Sequence, residues 1–407
     1  RDRDVTGVQT CALPICYEFT TVPTEAYGRL ANLRGQMDSQ VVVGDPLWIN
    51  PSLKNFAPRV GFAYDPFGDG KTSIRAAYAL GYAYVPAVTR QDQAGSNPWG
   101  GRSTYSTAGT TSTFADPYAG VVGGNPYPYL IDKNVKFTPQ GQFITNAPDL
   151  PSARTYSWNA SIQRQFGRDW IASATYLGSR VQHLWVNVPI NAALLIPGAP
   201  IVTTGCAATA LNCNATANIQ ARRVLSQINP AQGALVGNMD QWDASGTSTY
   251  HGLLFSVQKK LSRGVSMNAN WTWSHCISLF QGYDSKSDVT STVPNNPLFD
   301  RGNCDSDRRH ITNITAVAMA PRFNNNMMRM AITGWQLSGI YQFRSGAPLA
   351  VRSGTDRQLS GINHQRPNLL LPDAVYTGND GPSSQFLNPR SEEHTSELQS
   401  HHDLVCR

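Results

Sequence analysis

Two cysteine pairs offer the most definite chemistry in this 407-residue chain. Cys276 and Cys304 stand in SHCIS and RGNCDSDRRH, at the two ends of a polar segment, while Cys206 and Cys213 bracket CAATALNC inside another. In an exported chain both pairs are expected to form disulfides, the first stapling the base of a loop and the second closing a small surface ring. Zinc is the sharper alternative. It fits poorly, because neither pair has the Cys-x2-Cys spacing or a histidine at ligand spacing.

The remaining constellations point to less. Gly68 to Thr72 (GDGKT) looks like the end of a phosphate-binding loop, but Asp65 stands where the first glycine is required and no helical pattern follows, so a β-turn is expected. Asp284, Asp288, Asp305 and Asp307 have the chemistry of calcium ligands, and equally that of solvated loop acids. Arg308, Arg309 and His310 open a strand pattern, where a loop-base or lumen-facing role suits them better than catalysis. The aromatics and amides between Tyr82 and Tyr129 suit a saccharide surface, or an exposed loop without a ligand. No nucleophile with a base, and no paired carboxylates, stand at interpretable spacing. No catalytic, cofactor-binding or metal residue is therefore expected, nor an enzyme.

The elements that hold these residues read as strands. Tyr156, Trp158, Ala160, Ile162 and Phe166 alternate with Thr155, Ser157, Asn159, Ser161, Gln163 and Gln165, and only Arg164 breaks the pattern. Val265, Met267, Ala269, Trp271 and Trp273 alternate with Ser266, Asn268, Asn270, Thr272 and Ser274. Trp335, Leu337, Gly339, Tyr341 and Phe343 alternate with Gln336, Ser338, Gln342 and Arg344, with Ile340 the exception. The polar faces carry Ser, Thr, Asn and Gln rather than charges. That composition suits a wide, wet interior, with the other face against lipid.

Connections alternate between tight and long. Strands at residues 56–64 and 72–84 join through DPFGDGK, those at 154–166 and 170–178 through Gly167-Arg168-Asp169, and those at 248–261 and 265–274 through Ser262-Arg263-Gly264. Strands at 308–320 and 331–344 meet across about ten residues. Between these hairpins lie the Gly-, Pro-, Ser-, Thr- and Asn-rich segments 85–153, 179–247 and 275–307. Such long segments are uncommon in compact soluble domains, whereas short turns on one side and long loops on the other are the habit of outer-membrane barrels. About nine strands are counted, including a remnant near residues 17–21. The fold expected is all-β, a partial transmembrane antiparallel β-barrel with long extracellular loops.

Aromatic placement gives a second indication. Tyr156, Trp158, Trp271, Trp273, Tyr341 and Phe343 fall near the loop ends of their strands, and Phe166, Trp170 and Trp335 near the turn ends, as two interfacial girdles would. No apolar run reaches the roughly 18 residues of a transmembrane helix, but a transmembrane strand needs only about 9 to 11. Lys and Arg exceed Asp and Glu by 33 to 27, scattered without basic-aromatic blocks, so no nucleic-acid partner is expected.

Both ends resemble translated sequencing-adapter sequence: residues 1–16 (RDRDVTGVQTCALPIC) and 390–407 (RSEEHTSELQSHHDLVCR). Setting them aside leaves four cysteines, moves the net charge from +6 to +8, and gives residues 17–389 as the natural stretch, truncated at both ends.

Within that stretch NFAPRVGFAY (residues 55–64) followed by DPFGDGKTSIR resembles the barrel hairpin of large TonB-dependent receptors with a carboxypeptidase-regulatory-like domain, the Oar-like group. YLGSR (176–180) with His183 and Leu184, YHGLLFSVQKKL (250–261), NWTWSH (270–275), RRH (308–310), and GWQLSG (334–339) with SGAP (345–348) follow in the same order. The resemblance implies the bacterial outer membrane, contact with its lipid, and energised uptake of an unidentified small-molecule or oligosaccharide solute coupled through TonB. The regulatory-like domain, plug, TonB box and closing strands of that group have no counterpart in this sequence. A non-transporting surface or adhesion protein is the alternative, and a secreted soluble β-protein a third. Because a barrel must close to satisfy its edges, about nine strands of some 22 should form an open, curved sheet.

Overall fold

The computed structural model describes residues 54–83, 150–233, 236–279, 296–321 and 326–348, with shorter stretches at 8–11, 15–17, 113–117, 141–147, 356–362, 365–366, 368–370 and 392–393 and single residues 119 and 293. One large open sheet organises them. Its path runs β1 (Val8–Cys11), β3 (Phe56–Tyr64), β4 (Thr72–Tyr82), β6 (Arg154–Phe166), β7 (Trp170–Pro189), β8 (Val236–Ser262), β9 (Val265–Ser278), β11 (His310–Met319) and β12 (Gln336–Arg344), each antiparallel to the next. Three short strands attach to it: β2 (Ile15–Tyr17) on β3, β5 (Gly141–Asn146) on β8, and β10 (Gly302–Asn303) on β9. A separate pair joins β13 (Asn368–Leu369) to β14 (Glu392–Glu393).

The turns follow from local chemistry. Arg263 and Gly264 both have positive φ, 51° and 76°, as a two-residue hairpin demands. A side chain at Gly264 would also meet the Met319 carbonyl oxygen at 2.8 Å. Between β3 and β4 the Asp65 carboxylate accepts the Phe67 and Gly70 N–H groups at 3.2 and 2.7 Å, closing the turn upon itself.

The pairing register tilts the strands. Partners form a row from Tyr64, the last residue of β3, through Ile74, Ile162, Ala174, Phe255, Trp271 and Thr312 to Phe343, one residue short of the far end of β12. The row crosses seven strand-to-strand steps and climbs about seven residues from the start of β12. One residue of about 3.3 Å per spacing of about 4.8 Å is a tilt near 35°, at the edge of the roughly 35–45° at which barrels close.

Several expectations need correcting. The 179–247 segment is not one long loop: β7 and β8 continue past the other hairpins as 20- and 27-residue strands and project well beyond the 9 to 11 or so residues a membrane requires. The turn side of β11 and β12 contains a helix, Asn326–Ile332, so that strand begins at Gln336 rather than near residue 331. The wall itself is antiparallel throughout, as expected; among the described strands only the attached β5 differs, running parallel to Val236–Trp242. The ninth strand of the path is β1, and the residues 18–21 lie outside the described ones. β1 and β2 cover the free side of β3, as any extended segment can at an unpaired strand edge.

Buried apolar residues sit mostly at one end. Phe143, Leu150, Val186, Ala192, Ala193, Leu225 and Met239 are buried where β7 and β8 project, with Leu279 packed on Val186. The wall itself has little core. Phe62, Ile162, Phe166, Phe255, Trp271, Leu337 and Tyr341 are all exposed, an arrangement that in water would forfeit the hydrophobic stabilisation of every one of them.

Candidate functional site

Two surfaces emerge from this fold: the wall's apolar face, and a cap of loops at its open end. The row through Tyr64 and Phe343 lies on the apolar face, and the parallel rows above and below it place Val60, Tyr78, Trp158, Tyr176, Leu253, Trp273 and Ile314 on the same side. The opposite side carries Asn159, Ser161, Gln163, Ser256, Asn268, Asn270 and Asn313, with apolar interruptions that include Ile171, Leu177, Leu254, Ile311, Val317 and Ile340. Tyr156, Trp158, Phe166, Trp170, Trp271, Trp273, Tyr341 and Phe343 thus share one face. Trp335 precedes β12, where its carbonyl accepts the Ala320 N–H.

Rings on this face interlock near the loop ends. Trp271 stacks between Phe255 and His310 at centroid distances of 5.7 and 5.8 Å. His251 stacks on Tyr176, whose hydroxyl lies 2.7 Å from His251 Nδ1, and Trp158 meets the same imidazole edge-on. Near the turn ends Arg164 lies over Phe67 at 5.2 Å and Lys259 over Trp170 at 5.9 Å. Arg164, the one break in the sequence alternation, is therefore a cation at the rim of an apolar band, where a long side chain can reach water.

At the loop end two disulfides are present. Cys276 and Cys304 join with Cα atoms 5.4 Å apart, and Cys206 and Cys213 with Cα atoms 6.1 Å apart. Beside the first, the buried Asp307 carboxylate accepts the Cys276 N–H at 2.9 Å and lies 3.5 Å from Arg309 and 3.6 Å from His275. Arg308 donates to the Asp305 and Asp307 carbonyls, so the 308–310 group frames the loop base. Asp284 and Asp288 lie outside the described residues, as does most of the 82–129 segment.

The cap is held by buried polar groups that the sequence reading did not single out. Arg222 is 1% exposed and donates to Asn218 Oδ1 and to the carbonyls of Leu194, Ala215 and Leu359, at 2.8–3.1 Å. Arg223 donates to Asn191 and Gln220, while Asn191 in turn donates to Gly237 and accepts the Leu225 N–H. Burial pushes both guanidinium pKa values down; Asp356 opposes this at Arg222, and Asp240 and Asp356 oppose it at Arg223. Asp356 itself accepts from Ser360, Gly361 and Gln365, tying 356–362 and Gln365 into a knot beside Arg222. Arg366 then reaches Asp300 at 3.5 Å. Three segments far apart in sequence, 190–233, 296–307 and 356–366, are thereby tied into one surface. The residue types gave a faint signal, since adjacent arginines in an otherwise Asn- and Ala-rich segment with almost no acids must find their acceptors elsewhere.

The family described as "Outer membrane beta barrel domain" matches residues 10–395, reaching into both terminal runs. No curated protein matches. Among solved structures the chain is similar to the outer membrane transporter YddB from Escherichia coli (10% identity, TM-score 0.35, 65% of this chain and 26% of that one). It is also similar to the alcaligin outer membrane receptor FauA from Bordetella pertussis (12%, 0.30, 71% and 29%). A third is the ferric enterobactin receptor PfeA from Pseudomonas aeruginosa (12%, 0.32, 66% and 26%). The chain spans about a quarter of the length of these proteins.

Proposed function

Because the chain belongs to the outer membrane beta barrel domain family, and so to the bacterial outer membrane, we propose that it forms part of the wall of a TonB-dependent receptor that imports a large or scarce solute. The observation that carries this reading is the register row. Eight long strands share one apolar face at a barrel's tilt, yet among the described residues the sheet stays open and β12 has no further partner along the path. An eight-stranded barrel would already have closed with an interior that side chains fill. A wider barrel encloses a space that Asn, Gln, Ser and Thr keep wet.

The closer kinship, to Oar-like receptors with a carboxypeptidase-regulatory-like domain, rests on the ordered motifs from NFAPRVGFAY to SGAP. The knotted cap supplies a rigid outer surface on which a solute could first be held. The alternative, a surface protein that adheres without transporting, draws on the same cap.

Deleting the gene in its host separates the two. Transport predicts lost accumulation of one solute class, and the same loss when TonB is removed. Unchanged uptake of every solute, with lost surface attachment, contradicts it in favour of adhesion.

A further inference from the structure

Where β7 and β8 project beyond the other hairpins, they divide their two faces sharply. Leu184, Val186 and Val188 turn to one side, where they pack with Leu279. Trp185 and Asn187 turn to the other, and Asn187 pairs directly with Trp242 of β8. Trp242 pairs in turn with Asn146 of β5, so amide, indole and amide form one cross-strand row. The two indoles of this face differ in one respect. Trp185 donates its N–H to the Pro151 carbonyl at 2.8 Å, whereas the Trp242 N–H is buried with no hydrogen-bond partner. Asn187 is 5% exposed, and its side-chain carbonyl oxygen is likewise buried and unpartnered. An idle donor and an idle acceptor therefore stand on directly paired residues, a combination that buried polar groups rarely leave in place.

We infer that Asn187 and Trp242 hold a hydroxyl of a neutral sugar, with the Trp185 and Trp242 indoles against its ring. The inference rests on the reading of the chain as part of a solute receptor and names the class of solute. Residues directly opposite on paired strands have β-carbons about 4.5–5.5 Å apart, so one oxygen atom between them reaches both polar atoms. A hydroxyl accepts from the indole N–H and donates to the amide oxygen through that single atom. A carboxylate or phosphate only accepts and would set lone pairs against the amide oxygen. An ammonium only donates and would meet the indole N–H head-on. Charge on this face is already balanced, because Asp240, two residues before Trp242, is offset by the Arg223 guanidinium. An added peptide strand has no place here, since β7 and β5 occupy both edges of β8 at this level. The indole faces supply the apolar surface against which the C–H side of a sugar ring packs.

The test is isothermal titration of the full-length protein in detergent micelles, with maltohexaose, cellohexaose, laminarihexaose and chitohexaose as neutral probes and hexagalacturonate as the charged one. At least one neutral probe should bind, about tenfold or more tighter than hexagalacturonate. Trp242→Phe keeps a ring and removes the N–H, and Asn187→Leu removes the acceptor; each should weaken binding about tenfold. Neither should lower the stability of the free protein, because neither group has a partner there to lose. Trp335→Phe, at the turn end of the wall, should leave binding unchanged. Binding of no neutral probe, the result if the two groups hold only water, overturns the inference. Equal binding of hexagalacturonate overturns it too, as does unchanged affinity in either variant. Uptake by whole cells keeps the subsite apart from the receptor reading. TonB-dependent uptake of another solute class without sugar binding overturns the subsite alone, whereas sugar binding that needs Trp242, without TonB-dependent uptake, overturns the receptor reading alone.

Discussion

The indole of Trp158 on β6 packs so closely against Gly178 on β7, its cross-strand partner, that a β-carbon at Gly178 would lie only 2.3 Å from the indole Cε2 and Nε1. Glycine is what lets the indole lean across one strand to reach His251 on the next. Gly178→Val should therefore displace Trp158 and cost about 1 to 3 kcal/mol, as overpacking does. The shift of the urea midpoint in refolded bilayer samples measures it, and Trp158→Ala in the same background should remove most of the penalty.

Cys276 and Cys304 close a loop with a sequence separation of 28, for which chain entropy gives about 3 to 4 kcal/mol of stabilisation. Replacing both by Ser should leave the wall folded but make residues 279–303 far more sensitive to protease. Replacing Cys206 and Cys213, separated by 7, should cost less, about 2 to 3 kcal/mol on the same reasoning. Equal protease sensitivity of intact and reduced protein would show that the first bond does not hold the loop base.

Arg222 satisfies four acceptors at once, among them the carbonyl of Leu359, 137 residues away. Arg222→Met should leave those acceptors buried without donors and cost about 3 kcal/mol, enough to raise cap opening about a hundredfold. Arg222→Lys should rescue little, because one ammonium cannot span the fork's partners. Hydrogen exchange at residues 214–228 and 357–362 should rise together, since the guanidinium joins them; a rise confined to one segment argues against the shared cap.

Much of the wall was legible in residue order, because strands with two unlike faces write their period into the sequence. Arg154–Phe166 emerges with the bounds that its alternation suggests, and Phe56–Tyr64 with those set by the turn that follows it. The reading of β7 stopped at Gly178 for a physical reason. His183 sits at φ 56°, within a register shift between Val181 and Leu184, and a bulge of this kind changes which parity faces which side. The cap was not legible. Its core is made of Arg222, Asn191, Asn214 and Asn218, residues that read as solvated loop until their distant acceptors are known. β5 was missed because six residues pairing in parallel with a projecting strand give too short a pattern to recognise.

Val257 and Ser256 stand side by side in the part of β8 that runs between β7 and β9 toward its C-terminal turn, and point to opposite faces: Val257 lies level with Ala172 and Ala269, Ser256 with Ser173 and Asn270. Substituting arginine at each, in the full-length protein refolded into bilayers, asks which face meets lipid. The account predicts that Val257→Arg lowers unfolding free energy by about 2 to 4 kcal/mol while Ser256→Arg changes it by less than about 1. Equal effects, or the larger loss at Ser256, would contradict a lipid-facing row from Tyr64 to Phe343.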